Sequence, residues 1–318
     1  MHAPLPRKPR TLKSDSRIGV IAPAGWSAPE DLERAIHHAQ THYGLNIFLH
    51  PQCYLRDGNS AGSTADKIKA FHDVWQDPSV DAVWAARGGS RALHLLHGLD
   101  WDILRAHQKI LIGYSDVTCL LNSFYRETGL VSFHGPLLGA FSPDSKCTTQ
   151  DRTLSLLKGD WEQALFPVTH DYHVLRAGEV TAPLIGGNLS LIYALAASQH
   201  DTPLWQDHVL LIEDIDEDIR HIDRIFGALR LAGVFKQIKG LMCGPFTGMT
   251  DTSTYPFGRN LQDLIVEHIL PDINGPVIMN APFGHIHANH PFPVGVPTHI
   301  KATQAHVTVK LAESPFSD

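Results

Sequence analysis

The 318-residue chain is 43% hydrophobic and 19% charged, with 25 glycines and 21 prolines, a balance that describes a globular protein long enough for two cores of average domain size. A formal net charge of -7, with no basic run beyond PRKPR near the start, makes a nucleic-acid partner unexpected. No apolar stretch approaches membrane-spanning length, and the opening segment has basic residues but no apolar signal region, so no membrane partner is expected and residues 1–16 read as a loose tail.

The elements in chain order begin with RIGVIAPAG at 17–25, a short apolar run ending in Pro and Gly, as a buried strand does. The helix pattern that follows has Ser27 as its candidate N-cap, acids in its first turn and Gly44 as its stop. NIFLH is a second strand. A second helix starts at Ser63 or Thr64 and stops at Pro78, and VDAVWAARGG is a third strand ending in glycines. A short helix near 90–96 leads to the fourth strand, KILIGYSD, then to the helix DVTCLLNSFYRETG and a fifth strand, LVSFHGP. Strands alternating with helices imply a doubly wound parallel sheet over residues 17–140, with its ligand-binding loops at the strands' carboxyl ends.

Periodicity fades across residues 141–180, which read as a connecting region. A smaller α/β domain is expected over 181–318. It opens with a glycine turn and helix at LIGGNLSLIYALAAS. Then come a strand, an acidic turn and an amphipathic helix in HVLLIEDIDEDIRHIDRIFGALRLAG, two strands in IKGLMCGPF and GPVIMNAPFGH, and a final hairpin pattern in HIKATQAHVTVKL.

Cysteines 53, 119, 147 and 243 are scattered without CxxC spacing, the usage of reduced thiols in the cytoplasm. The 21 histidines are densest at His37–His38 and in HIHANH at 285–290. With neither HExxH nor a zinc-type Cys/His spacing, no metal or other cofactor is expected.

Three polar residues share a placement at the ends of apolar strands. Ser115 in GYSD can cap the following helix, or it can be a nucleophile raised on a tight elbow, although Val117 stands where the esterase elbow has its second glycine. Glu213 abuts the apolar run HVLLI and leads the cluster Glu213, Asp214, Asp216, Glu217 and Asp218, whose other members suit a solvated turn and a helix start. His285 follows VIMNAPFG. A serine nucleophile needs a base and an acid to orient it, and these three supply both. Backbone amides of Asp116 and of the RGGS turn at 87–90 are candidate donors to an oxyanion, and GGN at 186–188 is another close backbone approach or simply a helix start.

In the order GVIAPAG, AARGGS, GYSDVT, FHGP, GGNLSLI, LLIEDIDED with IDR, and APFGH, the chain resembles the LD-carboxypeptidases, the S66 group of serine peptidases, over nearly its whole length. The resemblance implies a Ser–Glu–His triad on Ser115, Glu213 and His285, with Glu217 the competing carboxylate, and oxyanion amides from Gly89 and Asp116. It also implies a cytoplasmic homodimer that removes the terminal D-alanine of murein tetrapeptides in peptidoglycan recycling, without a metal. Relatives carry RGGYG where this chain has RGGSR, with Ser90 and Arg91 at the last two positions, so substrate contacts differ there, and Arg87 and Arg91 are candidates for them by position. Two rival readings are a microcin-C self-immunity peptidase acting on peptidyl- or aminoacyl-nucleotide amides with the same triad, and a non-catalytic two-domain ligand-binding protein in which Ser115 only caps its helix.

Overall fold

The structure, a computed structural model, describes residues 6–141, 148–198 and 205–317. The chain forms two compact units. The first holds the described residues up to Trp161 together with His290–Gly295 and those from Ser314 on; the second holds those within Glu162–Asn289 and Val296–Glu313.

In the first unit, five strands alternate with helices: β1 (Arg17–Ile21), α1 (Pro29–Tyr43), β2 (Asn46–Leu49), α2 (Thr64–Gln76), β3 (Ala82–Ala85), α3 (Trp101–Ala106), β4 (Ile110–Gly113), α4 (Thr118–Thr128) and β5 (Ser132–His134), before α5 (Thr148–Leu157). The strands lie parallel in the order β2-β1-β3-β4-β5. A sixth strand, Phe292–Val294, arrives from far along the sequence and pairs antiparallel with β5. The strand order reverses direction between β1 and β3, and in sheets of this kind the loops at such a switch point frame the ligand crevice. The core between sheet and helices is dense with fully buried aromatics, among them Phe71, Trp75, Trp84 and Phe124. The two buried indoles are satisfied by carbonyls, Trp75 donating to Leu104 and Trp84 to Pro136.

Local chemistry explains most boundaries. Ser63 and Asp66 close a reciprocal capping box on α2. The expected Ser27 cap is not formed. Pro29, with its φ set for a first helical residue, opens α1, so the N-cap falls on Ala28 without a side-chain bond. Gly44 does end that helix, in the left-handed conformation. The short α3 went unpredicted. It is capped by Asp100, which accepts from the amides of Asp102 and Ile103.

The second unit contains β6 (His173–Arg176), β7 (Gly178–Asn188), α6 (Leu189–Ala196), β8 (Val209–Ile215), α7 (Ile219–Leu231), α8 (Val234–Gln237), β9 (Gly240–Thr247), α9 (Leu261–His268) and β10 (Val277–Met279). Numbering the edge strand of the first unit as β11, it ends with the hairpin β12 (Pro297–Ala302) and β13 (Val307–Leu311). Its seven strands run in the order β13-β12-β7-β8-β9-β10-β6. The central four are parallel, and the flanking pairs are antiparallel. Expected as a turn, the glycines of GGN instead continue β7, with Gly186, Gly187 and Asn188 in register with Leu211, Ile212 and Glu213 of β8.

Residues 141–180 are not only a connection: α5 belongs to the first unit, while β6 and the start of β7 belong to the second. Likewise 290–295 and 314–317, placed by the sequence in the second domain, fold with the first. Cys53, Cys119 and Cys243 are free and buried, and burial pushes the Cys53 thiol up to about 12; Cys147 lies outside the described residues.

Candidate active site

In the first unit the chain leaves the buried β4 at Gly113 and enters a single 3-10 turn at Ser115–Val117 before α4 begins. Ser115 takes φ 63°, a conformation that costs a non-glycine residue on the order of 1–3 kcal/mol and persists only where the surroundings enforce it. Neither the turn nor α4 has a side-chain cap, and the N-cap of α4 is Val117. Ser115 therefore does not cap that helix; it sits on a strained elbow.

Its neighbours explain the strain. A Cβ placed on Gly88 would lie 2.9 Å from the Ser115 Cβ, so only glycine lets the loop after β3 pass this close. Asp116 turns its side chain inward, where Oδ2 accepts from the amide of Ala92 at 2.7 Å. Burial raises its carboxyl above the usual range, opposed by that amide and by the charges of Lys67 and His94. One carboxylate thus ties the elbow to the turn that follows Gly89. Neither the Gly89 nor the Asp116 amide donates a hydrogen bond to another described residue.

The two arginines of RGGSR part company. Arg87 donates to the Trp26 carbonyl at 3.0 Å and lines a cleft of about 530 Å³ with Gly89 and Ser90. Arg91 takes φ 78° at the start of the following 3-10 turn, where its charge acts on the buried Lys67.

In the second unit, Glu213 lies within β8, between β7 and β9, and is fully buried. The β8–β9 register shifts around it: Ile212 pairs with Cys243 and Asp214 with Phe246, so Gly244 and Pro245 together oppose Glu213. This is a β-bulge, and proline, which cannot donate to a ladder, suits it. His285 is further from its strand than expected, six residues past Met279 on the loop after β10.

That loop brings the histidine onto the carboxylate. Oε2 of Glu213 accepts from Nδ1 of His285 at 2.7 Å and from its backbone amide at 3.1 Å. Gly284 makes the approach possible: φ is 101°, and a Cβ there would lie 2.6 Å from Oε2. Asn289 steadies the loop from behind, its side-chain oxygen accepting from the Gly284 amide at 2.8 Å. With Nδ1 donating to Glu213, Nε2 carries the basic lone pair. Burial alone would lower the His285 pKa. The Glu213 hydrogen bond and the charges of Glu213, Asp214 and Asp216 outweigh it, and the net direction is upward.

Glu217, the competing carboxylate, is engaged elsewhere, by His221 and the Ser190 hydroxyl. Asp214 was missed in the sequence because its acidic neighbours suggested a solvated turn. It is buried, accepting from Asn188, from the Ile215 amide, and from both the amide and hydroxyl of Ser190. The GGN motif thus ends in a residue that caps α6 and holds the base of the acidic turn. Among the described residues, no group of three or more His, Cys, Asp or Glu side chains is arranged to hold a metal ion.

Comparison with known proteins bears on both halves. The profile of the LD-carboxypeptidase N-terminal domain matches residues 18–135, and that of the LD-carboxypeptidase C-terminal domain matches 181–300. A probable murein peptide carboxypeptidase of Bacillus subtilis is 29% identical over 91% of this chain and 89% of its own. The murein tetrapeptide carboxypeptidase of Pseudomonas aeruginosa is 29% identical over 88% and 92%. Among solved structures, an MccF-like protein from Bacillus anthracis superposes with a TM-score of 0.83 at 25% identity, covering 96% of this chain and 99% of its own; MccF itself is the microcin C7 self-immunity protein of Escherichia coli. With both domain profiles matched in order along it, this chain is a two-domain α/β peptidase and belongs to the LD-carboxypeptidase family.

Proposed function

We propose that the chain is a serine-type LD-carboxypeptidase that releases the terminal D-alanine of murein tetrapeptides in the cytoplasm. The observation that carries this reading is the buried Glu213–His285 pair, a carboxylate wholly withdrawn from water and bonded to the ring nitrogen of a histidine at 2.7 Å. Such a pair has the geometry of a general base held in one tautomer. The strained Ser115 is the matching nucleophile.

Chemically, His285 Nε2 removes the Ser115 hydroxyl proton as Oγ bonds to the carbonyl carbon of the residue before D-alanine. The oxyanion is held by the amides of Gly89 and Asp116. Collapse breaks the C–N bond, the imidazolium gives its proton to the departing D-alanine nitrogen, and an ester remains on Ser115. Water, deprotonated by His285, hydrolyses that ester and returns the serine. Glu213 orients the imidazole through Nδ1 and stabilises the imidazolium. Arg87, which lines the cleft beside Gly89, is the proposed substrate contact; the charge of Arg91 acts instead on Lys67.

A second reading is favoured by the likeness to the MccF-like protein: the same residues cleaving a peptidyl- or aminoacyl-nucleotide amide. Offering tetrapeptide, pentapeptide and aminoacyl-nucleotide side by side, with products identified by mass spectrometry, separates the two. Loss of one alanine residue from the tetrapeptide is the expected result, and cleavage of the nucleotide substrate alone would replace this reading with the second. The family arrangement also proposes a homodimer, which sedimentation equilibrium tests directly. Among the described residues no helix is long and apolar enough to cross a membrane.

A further inference from the structure

Beside Gly89 the first unit presents a cleft whose cations have no role in the bond-breaking chemistry. It is lined by Gly25 and Trp26 from the loop after β1, Arg56, Gly58 and Asn59 from the loop after β2, and Arg87, Gly89 and Ser90 from the loop after β3. The loops after β1 and β3 frame the switch point of the sheet, and the loop after the edge strand β2 lies beside them.

They are bonded to one another. The Gly25 amide donates to Gly88, the Trp26 amide to Asn59 and the Ala61 amide to Ala24. The buried Gln52 bridges the first two loops, donating to the carbonyls of Ala22 and Ala61 and accepting from the Ala22 amide. Residues 57–60 close on themselves through reciprocal Asp57–Ser60 amide bonds. The cleft wall is therefore a fixed platform.

Arg56 is held on that platform without being consumed by it. Its guanidinium lies over the Trp26 ring at 4.2 Å from the centroid, and Nε donates to the Gly58 carbonyl. Arg87 is oriented by its bond to the Trp26 carbonyl. Neither arginine has a carboxylate partner among the described residues. Two oriented guanidinium groups, whose flat forks match a carboxylate, thus stand beside the loop that carries the proposed oxyanion amide.

We propose that Arg56, with Arg87, forms a carboxylate-binding subsite that reads a free carboxyl group of the peptide substrate. The proposal rests on the peptidase reading and deepens it. Two carboxylates that flank the scissile bond fit this chemistry in a tetrapeptide whose third residue is a diamino diacid: the one on the terminal D-alanine and the one on that residue's side chain. A carboxypeptidase must distinguish a chain end from a chain interior, and paired arginines do so by charge and shape.

The test compares wild type, R56Q and R56K on three substrates: the tetrapeptide, its D-alanine amide, and the tetrapeptide amidated on the side chain of its third residue. R56Q is expected to raise KM for the tetrapeptide about tenfold or more with kcat nearly unchanged, as follows from losing a charge-assisted hydrogen bond. R56K is expected to recover part of the loss. Whichever amidated substrate wild type already handles poorly, and R56Q handles no worse than the parent peptide, identifies the carboxylate that is read. Unchanged KM and unchanged discrimination in R56Q, with wild type releasing D-alanine, overturn the subsite while leaving the peptidase reading intact. If wild type does not turn the tetrapeptide over, calorimetric titration of Ser115→Ala and of Ser115→Ala/Arg56→Gln with the same peptide decides. Arg56-dependent binding keeps the subsite and overturns only the reaction; no binding overturns both.

Discussion

The Ser115 elbow and the turn after Gly89 are joined by one hydrogen bond, from the Ala92 amide to the Asp116 carboxylate. Asp116→Ala removes the acceptor, and kcat is expected to fall on the order of a hundredfold with KM little changed, the scale of losing one oxyanion donor. Asp116→Asn keeps an acceptor oxygen and should retain most of the activity, a split that steady-state kinetics reads directly. His285 sets the pH dependence. Its pKa is raised in the folded protein, and only the neutral ring acts as base, so the acid limb of kcat/KM should lie above the ordinary histidine value of about 6.5. Glu213→Gln removes the charge that raises it and keeps only a neutral amide oxygen as acceptor, so burial gains weight and the limb should move down in pH while kcat falls. The same shift bears on stability with a definite sign. A raised folded-state pKa stabilises the fold at pH values below the unfolded pKa, and that contribution disappears as pH rises through the folded one. Thermal melts of wild type and His285→Gln across this range should converge toward the alkaline side.

At the scale of elements, the loop after β10 is the most sensitive part of the site. Gly284→Ala would place a methyl group 2.6 Å from Glu213 Oε2 at φ 101°. A loss of roughly 2 kcal/mol or more of stability, together with most activity, is expected by denaturant unfolding and assay. Ser115, Glu213 and His285 were legible in the sequence as candidates because each follows an apolar run, although Glu213 lies within β8 and His285 on the loop after β10. The geometry around them was not. Nothing in LIED announces the β-bulge at Glu213, which depends on Gly244 and Pro245 of another strand. The side chain of Arg56 sits in a polar, glycine-containing loop, where an arginine ordinarily signals solvent; its stacking on Trp26 arises from loops brought together by the sheet. Helix α5 and strand β6 were hidden because residues 141–180 show too weak a period to separate element from connection.

At the scale of the whole molecule, the first unit is discontinuous in sequence. It borrows β11 and the segment from Ser314 on from the end of the chain. Phe316 is 5% exposed and stacks on Phe133 of β5, with ring centroids 5.4 Å apart, while the Ser317 amide donates to Pro9. Phe316→Ala should therefore destabilise the unit that carries Ser115 by about 3 kcal/mol. Hydrogen exchange at the amides of β4 and β5 would report this as faster opening, although the substitution lies some 200 residues from the elbow in sequence. Long-range pairing of this kind leaves no local signature, which is why the domain boundary drawn from periodicity missed it.

The most direct test of the whole account is mass-spectrometric analysis of a purified murein tetrapeptide incubated with wild type and with Ser115→Ala. The account predicts that wild type yields tripeptide and free D-alanine, and that the variant stays folded yet loses at least about a thousandfold in rate. Release of D-alanine by Ser115→Ala at the wild-type rate would contradict it.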